Sequence, residues 1–320
     1  MNAVPYSAEL KDTWNDFVRS SKCGTFILER EYMDYHSDRF RDCSILIYDD
    51  RGKLKAVMPA NWAEEERYVW SHQGLTYGGV LVDTSASLSD VLAIFEAMKD
   101  YYRDVLKATC IVYKPIPYIY SNVPSDEDLY ALFRSDATLQ SRLCATVLNM
   151  SCPLRMQTLR RRKATLARNS HLTVSLMQKE DWPLLQQFWD VLTLVLQERH
   201  HARPVHTFEE MQLLMTRFPD HIKLYVARHG QKIVAGTVVY ETKHVVRVQY
   251  IASDGDGRQL GALDLLFEHL LKEVYRDVGY FDFGTSNEEG GRVLNEGLIF
   301  QKEGFGGRTV CYDTYRISLN

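Results

Sequence analysis

Residues 245–305 read VVRVQYIAS, then DGDGRQLGALDLLFEHLLKEVYRDV, then GYFDFGTSNEEGGRVLNEGLIFQKEGF. The first segment is β-branched and aromatic with a period of two, which predicts a strand. Val246, Val248 and Tyr250 face one way; Arg247, Gln249 and Ile251 face the other. A Gly/Asp turn follows, then apolar positions at Leu263, Leu266, Phe267, Leu270, Leu271 and Val274. That spacing predicts a helix from about Leu260 to Arg276. Tyr280 to Gly284 reads as a short buried strand, and a further helix is expected over about Gly291 to Lys302, with Gly304 as its breaker.

Working outward, the chain repeats this order. FEAMKDYYRDV before a strand parallels FEHLLKEVYRDV before a strand, with the Tyr-Arg-Asp-Val runs starting at Tyr102 and Tyr275. The hairpin LIYDDRGKLKAV parallels LYVARHGQKIVAG, with turn glycines at Gly52 and Gly230. Two matched segments in one order predict a duplicated α/β unit. Its halves are expected over 1–155 and 156–320, the second preceded by the basic helix LRRRKATLAR.

Composition narrows the function classes. A net charge of −4 over 320 residues gives no general attraction for DNA or anionic lipid. No apolar run reaches the length of a membrane span. Six cysteines lack metal-like spacing and read as thiols of a reducing compartment, so a cytoplasmic protein without bound metal is expected.

The strand, glycine turn, helix, strand and helix of 245–305 resemble the GNAT N-acyltransferases. The turn Arg258-Gln259-Leu260-Gly261-Ala262 comes close to that family's glycine-rich turn, and Lys302, Gly304 and Phe305 match its later Lys-x-Gly-Phe. Two such units joined by a basic helix are similar to the Fem-type transferases. The resemblance implies a mixed-sheet α/β fold of two tandem GNAT-like domains. It implies an N-acyltransferase using acetyl-CoA or another acyl-CoA, with a small-molecule, amino-sugar or peptide amine as acceptor. The alternatives are a Fem-type transferase that takes its aminoacyl group from tRNA, and a silent binding module.

In that reading Tyr250, Ile251, Ala252, Arg258, Gln259, Gly261 and Ala262 hold the donor. A backbone N–H near Ile251 serves the oxyanion, and Gly261 lets the helix N-terminus approach the phosphates. Candidate catalytic residues are Asp282, Lys302 and Glu288. Asp282 is either a base or a cross-strand partner of Arg247. Lys302 either meets an anionic group or favours its helix C-terminus. Glu288 is a loop acid, placed for the acceptor or merely solvated. Tyr77, beside Gly78 and Gly79, and the run Arg199, His200, His201 and Arg203 are candidates for acceptor binding. Adjacent histidines without a fixed fourth ligand argue against a metal.

Overall fold

The computed structural model describes residues 1–319, except for the side chains of Arg199 and His200. The fold is mixed α/β. The chain forms two compact units. One comprises Met1–Leu143, Asn287–Val293 and Cys311–Asn320; the other comprises Cys144–Ser286 and Leu294–Val310. The chain crosses between them inside two long strands, Thr138–Asn149 and Arg308–Ser318. Among the described residues no helix is long and apolar enough to cross a membrane.

In the second unit, strands Leu172–Leu176, Ile222–His229, Lys232–Glu241, Val245–Ser253 and Tyr280–Thr285 are hydrogen-bonded in that order. All neighbours are antiparallel except the last two, which are parallel. The helical stripe read from sequence is buried: Leu266, Phe267, Leu270 and Leu271 pack with Phe281, Phe283 and Phe305. It is not one helix, however. It runs as Gly255–Leu260, Ala262–His269 and a π-helical turn Leu270–Val274, interrupted at Gly261. The later helix is shorter than expected, Glu296–Glu303, because residues 287–294 form a small hairpin.

The first unit has its own parallel pair, Tyr68–Trp70 with Cys110–Tyr113, and a four-stranded sheet of Asn2–Pro5, Ile45–Tyr48, Leu54–Met58 and Leu81–Val82. Its helix Leu88–Asp104 starts with a Ser87–Asp90 capping box, which satisfies two otherwise orphaned N–H groups. That helix buries Val91, Ile94, Phe95 and Met98.

The repeats read from sequence share local features, although the Gly52 hairpin lies in a different sheet from its unit's parallel pair while the Gly230 hairpin shares one with it. Tyr102 and Tyr275 are both buried. Gly52 and Gly230 turn their hairpins at φ +76° and +61°, a region that favours glycine. In each unit the strand–helix–strand segment closes on a parallel ladder of three pairs.

Candidate active site

The site is built where the second unit's parallel ladder stops. Val245, Val246 and Arg247 pair with Tyr280, Phe281 and Asp282. Beyond that point the central strand, Val245–Ser253, continues without its parallel partner and so makes a fork. Its other edge carries a β-bulge. Val238 faces Tyr250 while Val239 faces Val248, leaving Gln249 as the extra residue. A bulge bends a strand and raises its twist, which turns the two strands apart.

Charged groups converge at the fork. Asp282 is fully buried; one carboxylate oxygen lies 3.1 Å from an Arg247 nitrogen, and the other accepts the Gly284 N–H at 2.7 Å. Gly284 adopts φ +74°. The buried Lys302 ammonium donates to the carbonyls of Gly284 at 3.0 Å and Thr285 at 2.7 Å. Burial pushes the Lys302 ammonium down to about 8, and the Asp282 charge opposes that shift. An amine poised near working pH, in a low-dielectric setting, can donate a proton or stabilise negative charge. Phe300, on the same helix as Lys302, is exposed.

The other expected donor residues lie elsewhere. The Tyr250 side chain is turned away into packing. Its hydroxyl meets the buried His206 ring at 2.5 Å and accepts the His206 N–H at 3.1 Å, and its ring abuts Trp189. Burial pushes the Tyr250 hydroxyl up to about 12. Ala252 is buried and Ile251 half-buried on the central strand. Arg258 folds back to donate to the Ser253 carbonyl at 2.7 Å, and Gln259 is exposed.

Gly261 and Ala262 are buried, and a Cβ on Gly261 would stand 2.7 Å from the Lys163 carbonyl. With φ +75°, Gly261 serves the helix break and the close approach of helix Thr158–Asn169. That basic helix is also not simply a solvated face: Arg160 makes a buried ion pair with Asp264 at 3.0 Å.

The remaining candidates divide as follows. Glu288 is exposed in the short strand Asn287–Glu288, within a segment that belongs to the first unit. Tyr77 is a core residue, its hydroxyl 3.1 Å from Thr25 Oγ1 and its ring against Tyr120, so it lines no open acceptor surface. His201, at φ 49°, ends helix Trp182–His200 and is exposed, as is Arg203. The side chains of Arg199 and His200 lie outside the described residues. Among the described residues no group of three His, Cys, Asp or Glu could hold a metal ion. The expected cross-strand pair of Asp282 with Arg247 is present, whereas sequence reading missed His206 as the Tyr250 partner.

An acetyltransferase (GNAT) domain model matches residues 154–289. The FemX crystal structure superposes with a TM-score of 0.68 at 12% identity, covering 100% of this chain and 98% of that one. This is a tandem GNAT fold of the Fem-like kind. A tandem GNAT protein from the clavulanic acid biosynthesis pathway is similar at TM-score 0.55 and 10% identity, over 100% and 98% of the two chains. The L-PGS structure from Bacillus licheniformis is similar at 0.60 and 11%, over 98% and 92%. No curated protein matches the sequence.

A GNAT domain implies coenzyme A, and the tandem GNAT fold allows its fit to be tested at the turn after the central strand. Helix Gly255–Leu260 is capped by the Asp254 carboxylate, which accepts the Gly257 N–H at 2.7 Å. Lys232 lies 2.7 Å from both Asp254 and Asp256. One amide of this turn is therefore taken by a carboxylate, and a second carboxylate stands beside it, so the turn presents negative charge where a pyrophosphate needs free donors. These residues do not fit a pyrophosphate.

Proposed function

We propose that the second unit catalyses N-acyl transfer, joining an acyl group to the amine of a small molecule, amino sugar or peptide. The single observation that carries this reading is the buried Lys302 ammonium at the mouth of a fork of parallel strands. In amide formation the amine attacks the acyl carbonyl, a C–N bond forms, and the carbonyl oxygen becomes negative. The intermediate then expels its leaving group, and the amine loses a proton. A buried cation that titrates near 8 suits the oxyanion or the leaving oxygen or sulfur, because its charge acts in a low dielectric. A backbone N–H of the central strand near Ile251 is the second oxyanion donor in this proposal. The duplicated units are proposed as 1–155 and 156–320, and the enzyme as cytoplasmic, where acyl thioesters and charged tRNA are made.

An acyl-CoA is the donor that the GNAT domain supports. The carboxylate-filled turn favours a second reading, in which the acyl group is an aminoacyl ester of tRNA and no pyrophosphate needs a seat. Transfer assays with acetyl-CoA and with charged tRNA, each against a panel of amines, test both. Turnover from either donor that falls by about 10²-fold or more in folded Lys302→Met supports the proposal. Turnover that is indifferent to Lys302 overturns it.

A further inference from the structure

A chain of contacts runs through the fork that an acid acting as base would not need. Arg247 holds one oxygen of Asp282, and the other oxygen holds the Gly284 N–H. The Gly284 peptide is turned at φ +74°, and its carbonyl accepts from Lys302. Both carboxylate oxygens are thus engaged in shaping the backbone. We propose that Asp282 and Arg247 are positioning residues that build the Lys302 socket: Asp282 fixes the turned Gly284 peptide whose carbonyl, with that of Thr285, aims the ammonium. This rests on the reading of Lys302 as the group that meets the reacting atoms.

The geometry has local support. A Cβ at Gly284 would clear its nearest neighbours, the Val248 carbonyl at 3.7 Å and an Arg247 nitrogen at 3.8 Å. Space does not demand glycine there, so the requirement comes from the backbone twist. The ladder between Tyr280–Thr285 and the strand ending at Asn149 also slips between Asp282 and Thr285, so the segment bonded to Lys302 is a deformed one. Deformed backbone persists where its surroundings over-determine it, and here two side chains do so.

The charges set opposite signs for the two partners. Asp282 supports the Lys302 charge, whereas Arg247 opposes it. On helix Thr158–Asn169, Arg160 packs by Gly304, its Cγ 3.1 Å from where a Cβ would stand, and it is paired with Asp264. Removing the Asp282 charge should therefore lower the Lys302 midpoint, and removing the Arg247 charge should raise it. A purely structural role for the pair would move neither in this pattern.

The test is competitive labelling of Lys302 in the full chain with a small amine reagent across pH 6–11, read by peptide mass spectrometry. Wild type should show a midpoint near 8. Asp282→Asn should fall below it and Arg247→Gln rise above it, each by enough to change labelling at pH 8 several-fold. Gly284→Ala keeps all charges and strains only the turned peptide, so it should raise Lys302 labelling at every pH by loosening the socket. Should Asp282→Asn fail to fold, Arg247→Gln and Gly284→Ala carry the test. Midpoints that coincide across the folded variants overturn the proposal, as does a wild-type Lys302 that is never labelled. Labelling needs no turnover, so a failed socket is distinguishable from a failed catalytic reading, which would appear as normal transfer by Lys302→Met.

Discussion

The two units carry the same parallel ladder and treat its open end differently. In the first, Tyr68–Trp70 pairs with Cys110, Ile111 and Val112, and the chain then folds back into the opening. Ser71 donates its N–H to Val112, Gly78 donates to the Lys114 carbonyl, and Lys114 donates its own N–H to Ser71 Oγ. The Lys114 ammonium is tied to the Leu75 carbonyl at 2.6 Å, and the Tyr113 hydroxyl accepts the Val80 N–H and donates to Asp128. Residues 71–80 therefore seal that fork with the unit's own backbone. In the second unit the central strand runs on past Arg247 and a bulge, and the charges gather at the divergence instead. One repeated parallel ladder thus ends in a fork filled by the unit's own backbone and in one where buried charges meet.

The comparison breaks most visibly at Asp282. If this carboxylate holds the open fork together, Asp282→Asn should lose about 3–5 kcal/mol of stability, the usual cost of breaking a buried ion pair. Denaturant unfolding checks this; a loss under about 1 kcal/mol would mean that the fork stands without the pair. Next comes Gly261. Its left-handed backbone and its contact with Lys163 predict that Gly261→Val costs about 1–3 kcal/mol. A stable variant with altered donor affinity would restore the phosphate-contact reading.

The pH-dependent effect belongs to the plug. Burial raises the Asp128 carboxyl from 3.8 to about 7. A raised acid contributes stability that is complete below its unfolded value and is lost as pH rises through the folded one, here between about 4 and 7. Asp128→Asn should flatten that decline, which the shift sets at up to about 4 kcal/mol, in pH-dependent melting. The buried Lys114 ammonium is pushed down to about 7, so its cost is relieved as pH rises from about 7 towards 10.5. An unchanged pH slope in Asp128→Asn would mean that the carboxylate does not strain the plug.

Much of the frame was legible in the sequence. The alternation of VVRVQYIAS, the stripe from Leu266 to Leu271 and the matched Tyr102 and Tyr275 segments are local or periodic signals, and burial obeyed them, while Leu263 is half-buried and Val274 exposed. The register was not legible. Nothing in the pattern marks Gln249 as a bulge, because a bulge is defined by what Val238 and Val239 face across the sheet. The packing role of Gly261 was hidden for the same reason: its close neighbour, Lys163, lies far off in sequence. Tyr77 was read through its flanking glycines, yet Gly78 and Gly79 serve the tight return of the plug against Ser71 and Tyr113. The Arg247–Asp282 pair was legible, since parallel alignment of two short strands sets it directly opposite. Its link through Gly284 to Lys302 needed the backbone.

Each fork holds a lysine tied to backbone carbonyls, Lys114 in the plugged one and Lys302 in the open one. The most direct test of the account is the transfer rate of folded Lys302→Met against folded Lys114→Met, measured with whichever donor wild type accepts. The account predicts that Lys302→Met loses about 10²-fold or more while Lys114→Met stays within a few-fold of wild type. Equal losses, or a larger loss at Lys114, would contradict it.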